Sequence, residues 1–178
     1  MKVTINESTL ELVEGDITAQ DTVAIVNAAN NSLLGGGGVD GAIHRVAGPQ
    51  LLEECRTLDG CPTGEARITQ GYRLQAKHVI HTVGPVYRGG RQGEPALLAS
   101  AYRSSLELAS QHGIRSVAFP SISTGAYGYP TDKAARLALR VVIDYLSQHP
   151  EIELVRFVLF GQPAYNIYER ALVETLAA

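Results

Sequence analysis

Cysteine is scarce: Cys55 and Cys61 are the only two in 178 residues, too few for the disulfide framework of a small secreted domain. Neither has a histidine at zinc-ligand spacing, so both read as packing residues in a reducing compartment. No apolar run approaches the roughly 18 residues of a membrane-spanning helix. The opening MKVTINESTLELVEG has no apolar core of signal-peptide length, so a cytoplasmic protein with no membrane partner is expected. An excess of basic charge is also missing. Fifteen Lys and Arg against 18 Asp and Glu leave a formal net charge of -3 and a pI near 5.9. The chain as a whole therefore has no pull on nucleic acid, and Arg88-Gly89-Gly90-Arg91 is short enough to be a solvated loop. Repeats, linkers and composition shifts are absent too, which leaves one domain over residues 1–178 as the expectation. His78 and His81 lie three apart on an expected strand, point to opposite faces and cannot share a metal. No G-x-S-x-G nucleophile elbow occurs. Neither a metal nor a cofactor is expected.

What is present is strand-length apolar runs alternating with segments of helical period. The runs are Leu10–Val13, Val23–Val26, Ala66–Ile68, His78–Val83, Ser116–Phe119 and Leu154–Phe160. Several are continuous, as strands covered on both faces should be. Ala134, Ala138, Val141, Val142 and Tyr145 make one apolar helical stripe; Leu97, Ala101, Ser104 and Leu108 make a second, ending before Gly113. A last helix begins near Pro163, with Ile167, Ala171 and Thr175 inward. Residues 42–60 read as two helical pieces broken at Gly48-Pro49. This alternation predicts a mostly parallel sheet between helical layers, made mixed by an extra strand pair at the N-terminus. Ligands bind such sheets beyond the carboxyl ends of the strands, so the loops there come next.

Glycine is abundant, with 18 residues, and four stand together. After the strand ending at Val26 the chain reads Asn27-Ala28-Ala29-Asn30-Asn31-Ser32-Leu33-Leu34 and then Gly35-Gly36-Gly37-Gly38-Val39-Asp40-Gly41. Bare backbone N–H groups leading into a helix that starts near Asp40 can form an anion nest suited to phosphate, the alternative being a flexible surface loop capped by an Asp at the helix start. Gly36, Gly38 and Gly41 satisfy G-x-G-x-x-G, but eight residues separate Val26 from Gly35, so a dinucleotide fold is disfavoured. A second small-residue loop, Pro120–Pro130, follows the strand Ser116–Phe119; it is either an ordinary strand-to-helix turn with hydroxyl caps or, with the first loop, a clamp for a diphosphate. Gly15-Asp16-Ile17-Thr18 follows the strand Leu10–Val13. There Asp16 is either a turn cap or an acceptor for an exocyclic amino group, with the Ile17 N–H donating to the ring. His44, four residues after Asp40, shares its helical face and is placed to orient or pair with it.

These segments in this order resemble the macro domain family, in particular its MacroD-like branch that hydrolyses ADP-ribose esters. The matching stretches are GDIT (15–18), VNAAN (26–30), GGGGVDGAIH (35–44), CPTGEA (61–66), HTVGPV (81–86) and STGAYGYP (123–130). Asn30 followed after six residues by Gly37-Gly38-Val39-Asp40 reproduces the branch's spacing. The resemblance implies a three-layer α/β/α sandwich with a mixed, mostly parallel central sheet. It implies ADP-ribose and its esters as ligands, with ADP-ribosylated proteins as partners. The implied activity is O-acetyl-ADP-ribose deacetylase and mono-ADP-ribosyl ester hydrolase, with water activated by Asp40, the bound phosphate or both. A non-enzymatic ADP-ribose reader is the alternative. By position, Asp16 resembles the adenine-selecting carboxylate with Ile17 beside it. Gly37, Gly38 and Val39 resemble one diphosphate loop; Ser123, Thr124, Gly125, Ala126 and Tyr127 resemble the other. Asn30 is similar to the distal-ribose asparagine and Asp40 to the catalytic carboxylate; Asn27 and His44 match positions near that ribose. Phe160 resembles the aromatic beside the adenosine, although Gly161-Gln162 follows it where many relatives carry an acidic residue.

Overall fold

A computed structural model describes residues Met1–Ala178. Lys2–Ile5, outside the six apolar runs, forms strand β1, and the runs form β2 (Ser8–Glu14), β3 (Ala24–Ala28), β4 (Ala66–Gln70), β5 (His78–Thr82), β6 (Ser116–Phe119) and β7 (Leu154–Leu159). They pair in the order β1-β2-β7-β6-β3-β5-β4. The inner five run parallel, and β1 and β4 close the two edges antiparallel. The N-terminal pair makes the sheet mixed, as expected. The second antiparallel edge has a simple cause: residues 71–77 are too few to cross the sheet, so β4 and β5 join as neighbours that reverse direction.

Helices α1 (Gly38–Ala47) and α2 (Pro49–Arg56), separated at Gly48, cover one face of the sheet. There Ile43, Ala47, Leu51 and Cys55 pack on Ile25, Val79 and Val158. Helices α3 (Glu94–Gln111), α4 (Thr131–Gln148) and α5 (Gln162–Ala177) cover the other face, over a larger core that includes Leu12, Val26, Tyr102, Phe119, Phe157 and Tyr168. Four of those rings touch in sequence: Tyr102 to Phe119 at 5.1 Å between centroids, Phe119 to Phe157 at 5.7 Å, and Phe157 to Tyr168 at 5.5 Å. Aromatic contacts of this kind contribute about 0.5–1.5 kcal/mol each beyond their area. The result is the expected α/β/α sandwich. No helix is long and apolar enough to cross a membrane.

The α4 stripe is buried as expected. Two other stripes are rotated. In α3 the buried residues after Glu94 at its start are Leu98, Ala101, Tyr102, Ser105, Leu106 and Ala109, so Leu97, Ser104 and Leu108 sit at the margin instead of inward. In α5 they are Tyr168, Ala171 and Leu172, not Ile167 and Thr175. A 3.6-residue period fits either phase locally. The aromatic core decides, because Tyr102 and Tyr168 each bury more area than the residues they displace.

The topology opens a cleft. β3 and β6 pair only through Ala24↔Val117 and Ile25↔Ala118, and the chain leaves β3 for β5 on one side and reaches β6 on the other. Strand order reverses there, and the loops after β3 and β6 part above the sheet. The second loop is pinned from below by Tyr102, whose hydroxyl accepts from Ile122 N–H at 3.1 Å and donates to the Pro120 carbonyl at 3.4 Å.

Candidate functional site

The cleft at that reversal has a volume of about 310 Å³. One wall is Ala28, Ala29, Asn30 and Gly36 to Asp40; the other is Gly84, Ser121, Ile122, Ser123, Gly125, Ala126 and Tyr127. Both small-residue loops singled out in the sequence therefore meet across one opening, and their small side chains leave backbone N–H groups accessible. Gly38 takes φ +58° at the start of α1, a left-handed turn that a side chain would strain.

Asn30 shapes the first loop. Its Oδ1 accepts from Ser32 N–H at 3.1 Å and from the Ser32 hydroxyl at 2.6 Å, while Nδ2 donates to the Gly35 carbonyl at 2.9 Å. This local ring turns the chain toward α1 and brings Gly36 over Asp40. A Cβ built on Gly36 would lie 3.2 Å from Asp40 Oδ2 and 3.4 Å from Asn30 Nδ2, so the two groups converge at one point of the cleft wall.

Asp40 is 5% exposed. Its Oδ1 accepts from Asn27 Nδ2 at 2.8 Å and lies 3.4 Å from His44 Nε2 one turn along α1. Its Oδ2 is buried with no partner in the protein. The carboxyl is thus held by one oxygen and presents the other. Asn27 does not line the cleft: it is fully buried in β3 beneath Asp40. Its Nδ2 also sits 3.1 Å from His81 Nδ1, and His81 Nε2 sits 2.9 Å from the Thr69 hydroxyl. Burial, and then the neighbouring His44, push His81 down to about 3, so the ring is neutral.

In the second loop Ser123 has φ +67°, an uncommon conformation for a residue with a side chain, and its buried Oγ has no partner. Strain and an orphaned hydroxyl at a cleft wall together suit a ligand-binding position. Thr124 turns away, its hydroxyl bonded to Ser121 at 2.8 Å to Oγ. The loop is braced from the side: Tyr87 N–H donates to the Tyr127 carbonyl at 2.8 Å, and Tyr87 packs on Tyr129 at 4.7 Å between centroids. Glu94, buried at the start of α3, accepts from Arg88, Gly90 and Gln92 N–H at 2.8, 2.9 and 2.6 Å. Burial works to raise its carboxyl, but these backbone bonds outweigh it and hold the group down to about 2. Arg88 to Arg91 is the solvated loop expected, tied to α3 through its backbone.

Asp16 and Phe160 lie farther along the same edge, at the ends of the neighbouring strands β2 and β7. Asp16 is a cap: its Oδ1 accepts from Thr18 N–H at 2.9 Å and from the Thr18 hydroxyl at 2.8 Å. The residue is nevertheless exposed and its second oxygen is free, so capping leaves an acceptor over. Ile17 is buried beside it, and Phe160 is 90% exposed. The structure therefore brings Asn30, Gly37, Gly38, Val39, Asp40, Ser123, Gly125, Ala126 and Tyr127 together at the cleft. It places His44 and Asn27 behind it, and Asp16, Ile17 and Phe160 at the next strand ends.

Gly84, His81 and Thr69 were not singled out as site residues. A Cβ on Gly84 would overlap the Ser123 Oγ and the Ile122 side chain, a close approach that only the folded loops reveal. His81 stands directly opposite Asn27 in the β3–β5 register, which strand pairing alone discloses. No three His, Cys, Asp or Glu side chains converge to hold a metal ion, and Cys55 and Cys61 are free and buried.

A mixed sheet between two helical layers, with two small-residue loops over a buried carboxyl at the reversal of strand order, is the macro domain arrangement. The macro domain family model matches residues 26–138, and the chain belongs to that family. A macro domain-containing protein of Methanosarcina mazei is 54% identical over 176 residues, 99% of this chain and 94% of its own length. The O-acetyl-ADP-ribose deacetylase of Cronobacter sakazakii is 54% identical over 167 residues, 92% of this chain and 93% of its own. The solved structure of the Oceanobacillus iheyensis macrodomain with ADP is 47% identical, covers 99% of this chain and 96% of that one, and has a TM-score of 0.96.

Proposed function

We propose that the protein binds ADP-ribose and hydrolyses its esters, acting as an O-acetyl-ADP-ribose deacetylase and releasing mono-ADP-ribose from acidic side chains of modified proteins. The observation that carries this reading is Asp40 Oδ2, a buried carboxyl oxygen without a partner at the wall of a cleft, beside Asn30 and under two loops of small residues. A reader module needs the loops but has no use for an oriented, unsatisfied carboxyl. The bound ADP of the Oceanobacillus structure supports the ligand class, and the activity named for the Cronobacter relative supports the hydrolase over the reader.

In this reading adenine stacks near Phe160 and Ile17, its amino group donating to the free oxygen of Asp16. The diphosphate spans Gly37-Gly38-Val39 and Ser123 to Tyr127, where backbone N–H groups and the start of α1 offset its charge. Ser123 Oγ supplies a further donor. The distal ribose then reaches Asn30, which fixes its hydroxyls without adding charge, and Asp40. Water between Asp40 Oδ2 and the ester loses a proton to Asp40 or to a phosphate oxygen as it attacks. Attack at the acyl carbonyl breaks the acyl–oxygen bond; attack at the anomeric carbon breaks the bond from that carbon to the acyl oxygen. Either route releases ADP-ribose and a carboxylic acid. Two free, buried cysteines suit a cytoplasmic setting.

The test incubates pure protein with O-acetyl-ADP-ribose, and separately with a protein ADP-ribosylated on glutamate, following product masses with and without chelator. Both esters are expected to be cleaved at rates chelator does not change, since no side-chain cluster suits a metal. Tight binding of ADP-ribose without cleavage of either ester would make the protein a reader.

A further inference from the structure

The buried polar chain behind Asp40 crosses three strands on the α1–α2 side of the sheet. It begins at Thr69 in β4, passes His81 in β5 and Asn27 in β3, and ends at Asp40 in α1. All four residues are at most 5% exposed. Placing four polar side chains in an apolar layer costs stability unless each is satisfied, and a larger aliphatic core could have filled the space.

The proton positions follow from the geometry. A carboxylate oxygen accepts, so the atom of Asn27 at 2.8 Å from Asp40 Oδ1 is the amide nitrogen. That same nitrogen faces His81 Nδ1 at 3.1 Å, so Nδ1 accepts and the ring carries its one proton on Nε2. Nε2–H then donates to the Thr69 hydroxyl at 2.9 Å, which donates in turn to the Gln70 carbonyl at 3.1 Å. The Cys55 sulfur, 3.9 Å from Nε2, is a weak partner at most. Both hydrogens of the Asn27 amide are used, whereas its Oδ1 is buried with no partner. The orientation of Asn27 therefore rests on two N–H bonds alone, one to Asp40 and one to His81.

We propose that His81 is a positioning residue for ester hydrolysis: as a neutral acceptor tied to Thr69, it locks the Asn27 amide so that Asp40 keeps Oδ1 bonded and turns Oδ2 to the ribose. This rests on the hydrolase reading above. His81 touches no part of the cleft and acts only through Asn27. Its charge stays constant because burial keeps the ring neutral well below ordinary pH. Without its acceptor the amide is free to turn, Asp40 loses its fixed donor, and the carboxyl no longer presents one defined oxygen.

The experiment measures turnover of O-acetyl-ADP-ribose and the Kd for ADP-ribose in His81→Leu, His81→Asn and Thr69→Val, each also in an Asp40→Ala background. Leu removes the acceptor. Asn restores an oxygen near the Nδ1 position. Thr69→Val leaves the ring in place but takes away the acceptor that fixes its proton on Nε2. Expected for His81→Leu is a fall in kcat of about tenfold or more with Kd within about twofold, the pattern of a lost transition-state contribution. His81→Asn should return to within about threefold of wild type, and Thr69→Val should fall about threefold or more. In the Asp40→Ala background none should cost more, because the chain acts through Asp40. If the leucine variant does not fold, Thr69→Val decides. Wild-type rates in folded His81→Leu or Thr69→Val, with Asp40→Ala slow, would overturn the positioning role and leave the hydrolase reading standing. Wild-type protein that cleaves no ester would remove that reading and this role with it.

Discussion

At the scale of single residues, the site separates groups that hold from groups that act. Asp40 does both with different oxygens: Oδ1 is anchored by Asn27, and Oδ2 is unsatisfied. Asp40→Asn keeps the shape and loses the basicity, so turnover of O-acetyl-ADP-ribose should fall about a hundredfold or more, as should that of Asp40→Ala. Affinity for ADP-ribose should change far less, since the adenine and diphosphate contacts remain. Near-wild-type turnover in Asp40→Asn would move the base role to the bound phosphate or His44. Asp16 divides in a similar way, one oxygen capping the turn at Thr18 and the other exposed. Asp16→Ala should lose both functions, about 1 kcal/mol of stability for the cap and about tenfold or more in affinity. Asp16→Ser keeps a capping oxygen, so it should recover stability but not affinity. Thermal melts beside calorimetric titrations of the two variants distinguish the roles; equal affinity for wild type and serine variant would take Asp16 out of the adenine site.

At the scale of elements, the start of α1 and the start of α3 fix the two loops by different means. A Cβ on Gly41 in α1 would strike the Gly36 carbonyl oxygen, whereas a Cβ on Gly37 would meet nothing within 4 Å. Gly41→Ala should therefore push apart the glycine loop and the helix, destabilise by about 1–3 kcal/mol and slow turnover, because Gly36 lies against Asp40 and Asn30. Gly37→Ala should melt like wild type. A melting temperature for Gly41→Ala equal to that of Gly37→Ala would show that the loop moves aside freely. At α3, the folded Glu94 carboxyl lies near 2 against an ordinary 4.5. A depressed carboxyl stabilises the fold above its unfolded value, and that contribution disappears as pH falls from about 4.5 to 2. Glu94→Gln should be less stable than wild type at pH 7 and should lose less in that acid window. Urea melts at pH 7 and pH 3 check the sign; parallel pH dependence in the two proteins would mean that Glu94 does not tie the 88–92 backbone in solution.

At the scale of the whole molecule, both cysteines are closed into the smaller core on the α1–α2 side of the sheet. Cys55 sits on the inward face of α2, its thiol pushed up to about 11, first by burial and then by the charges of Asp40 and Glu54. Burial also raises Cys61. A thiol held neutral and covered is unreactive, so neither should react with an aromatic disulfide reagent at pH 8 until denaturant is added. Prompt reaction of native protein would show that the α1–α2 layer opens, which would loosen the polar chain beneath Asp40 as well.

Much of this architecture is local and was therefore legible in the chain. The strand runs, the α4 stripe, the break at Gly48-Pro49 and the two small-residue loops each depend on neighbours within a turn or a strand. Their order alone places Asn30, Asp40 and Ser123 to Tyr127 beyond strand ends. The helix stripes of α3 and α5 were legible only in period, because their phase depends on where Tyr102 and Tyr168 find room in a core assembled from the whole chain. The antiparallel edge at β4 and the overlap that keeps Gly84 small come from strand and loop neighbours brought together by folding. His81 is the clearest case. It is separated from Asn27 by 54 residues and meets it only through the parallel register of β3 and β5. The sequence by itself determined which loops are small and which carboxyl follows them; tertiary structure decided which oxygen of that carboxyl is free, because long-range pairing, unlike periodicity, leaves no mark on adjacent residues.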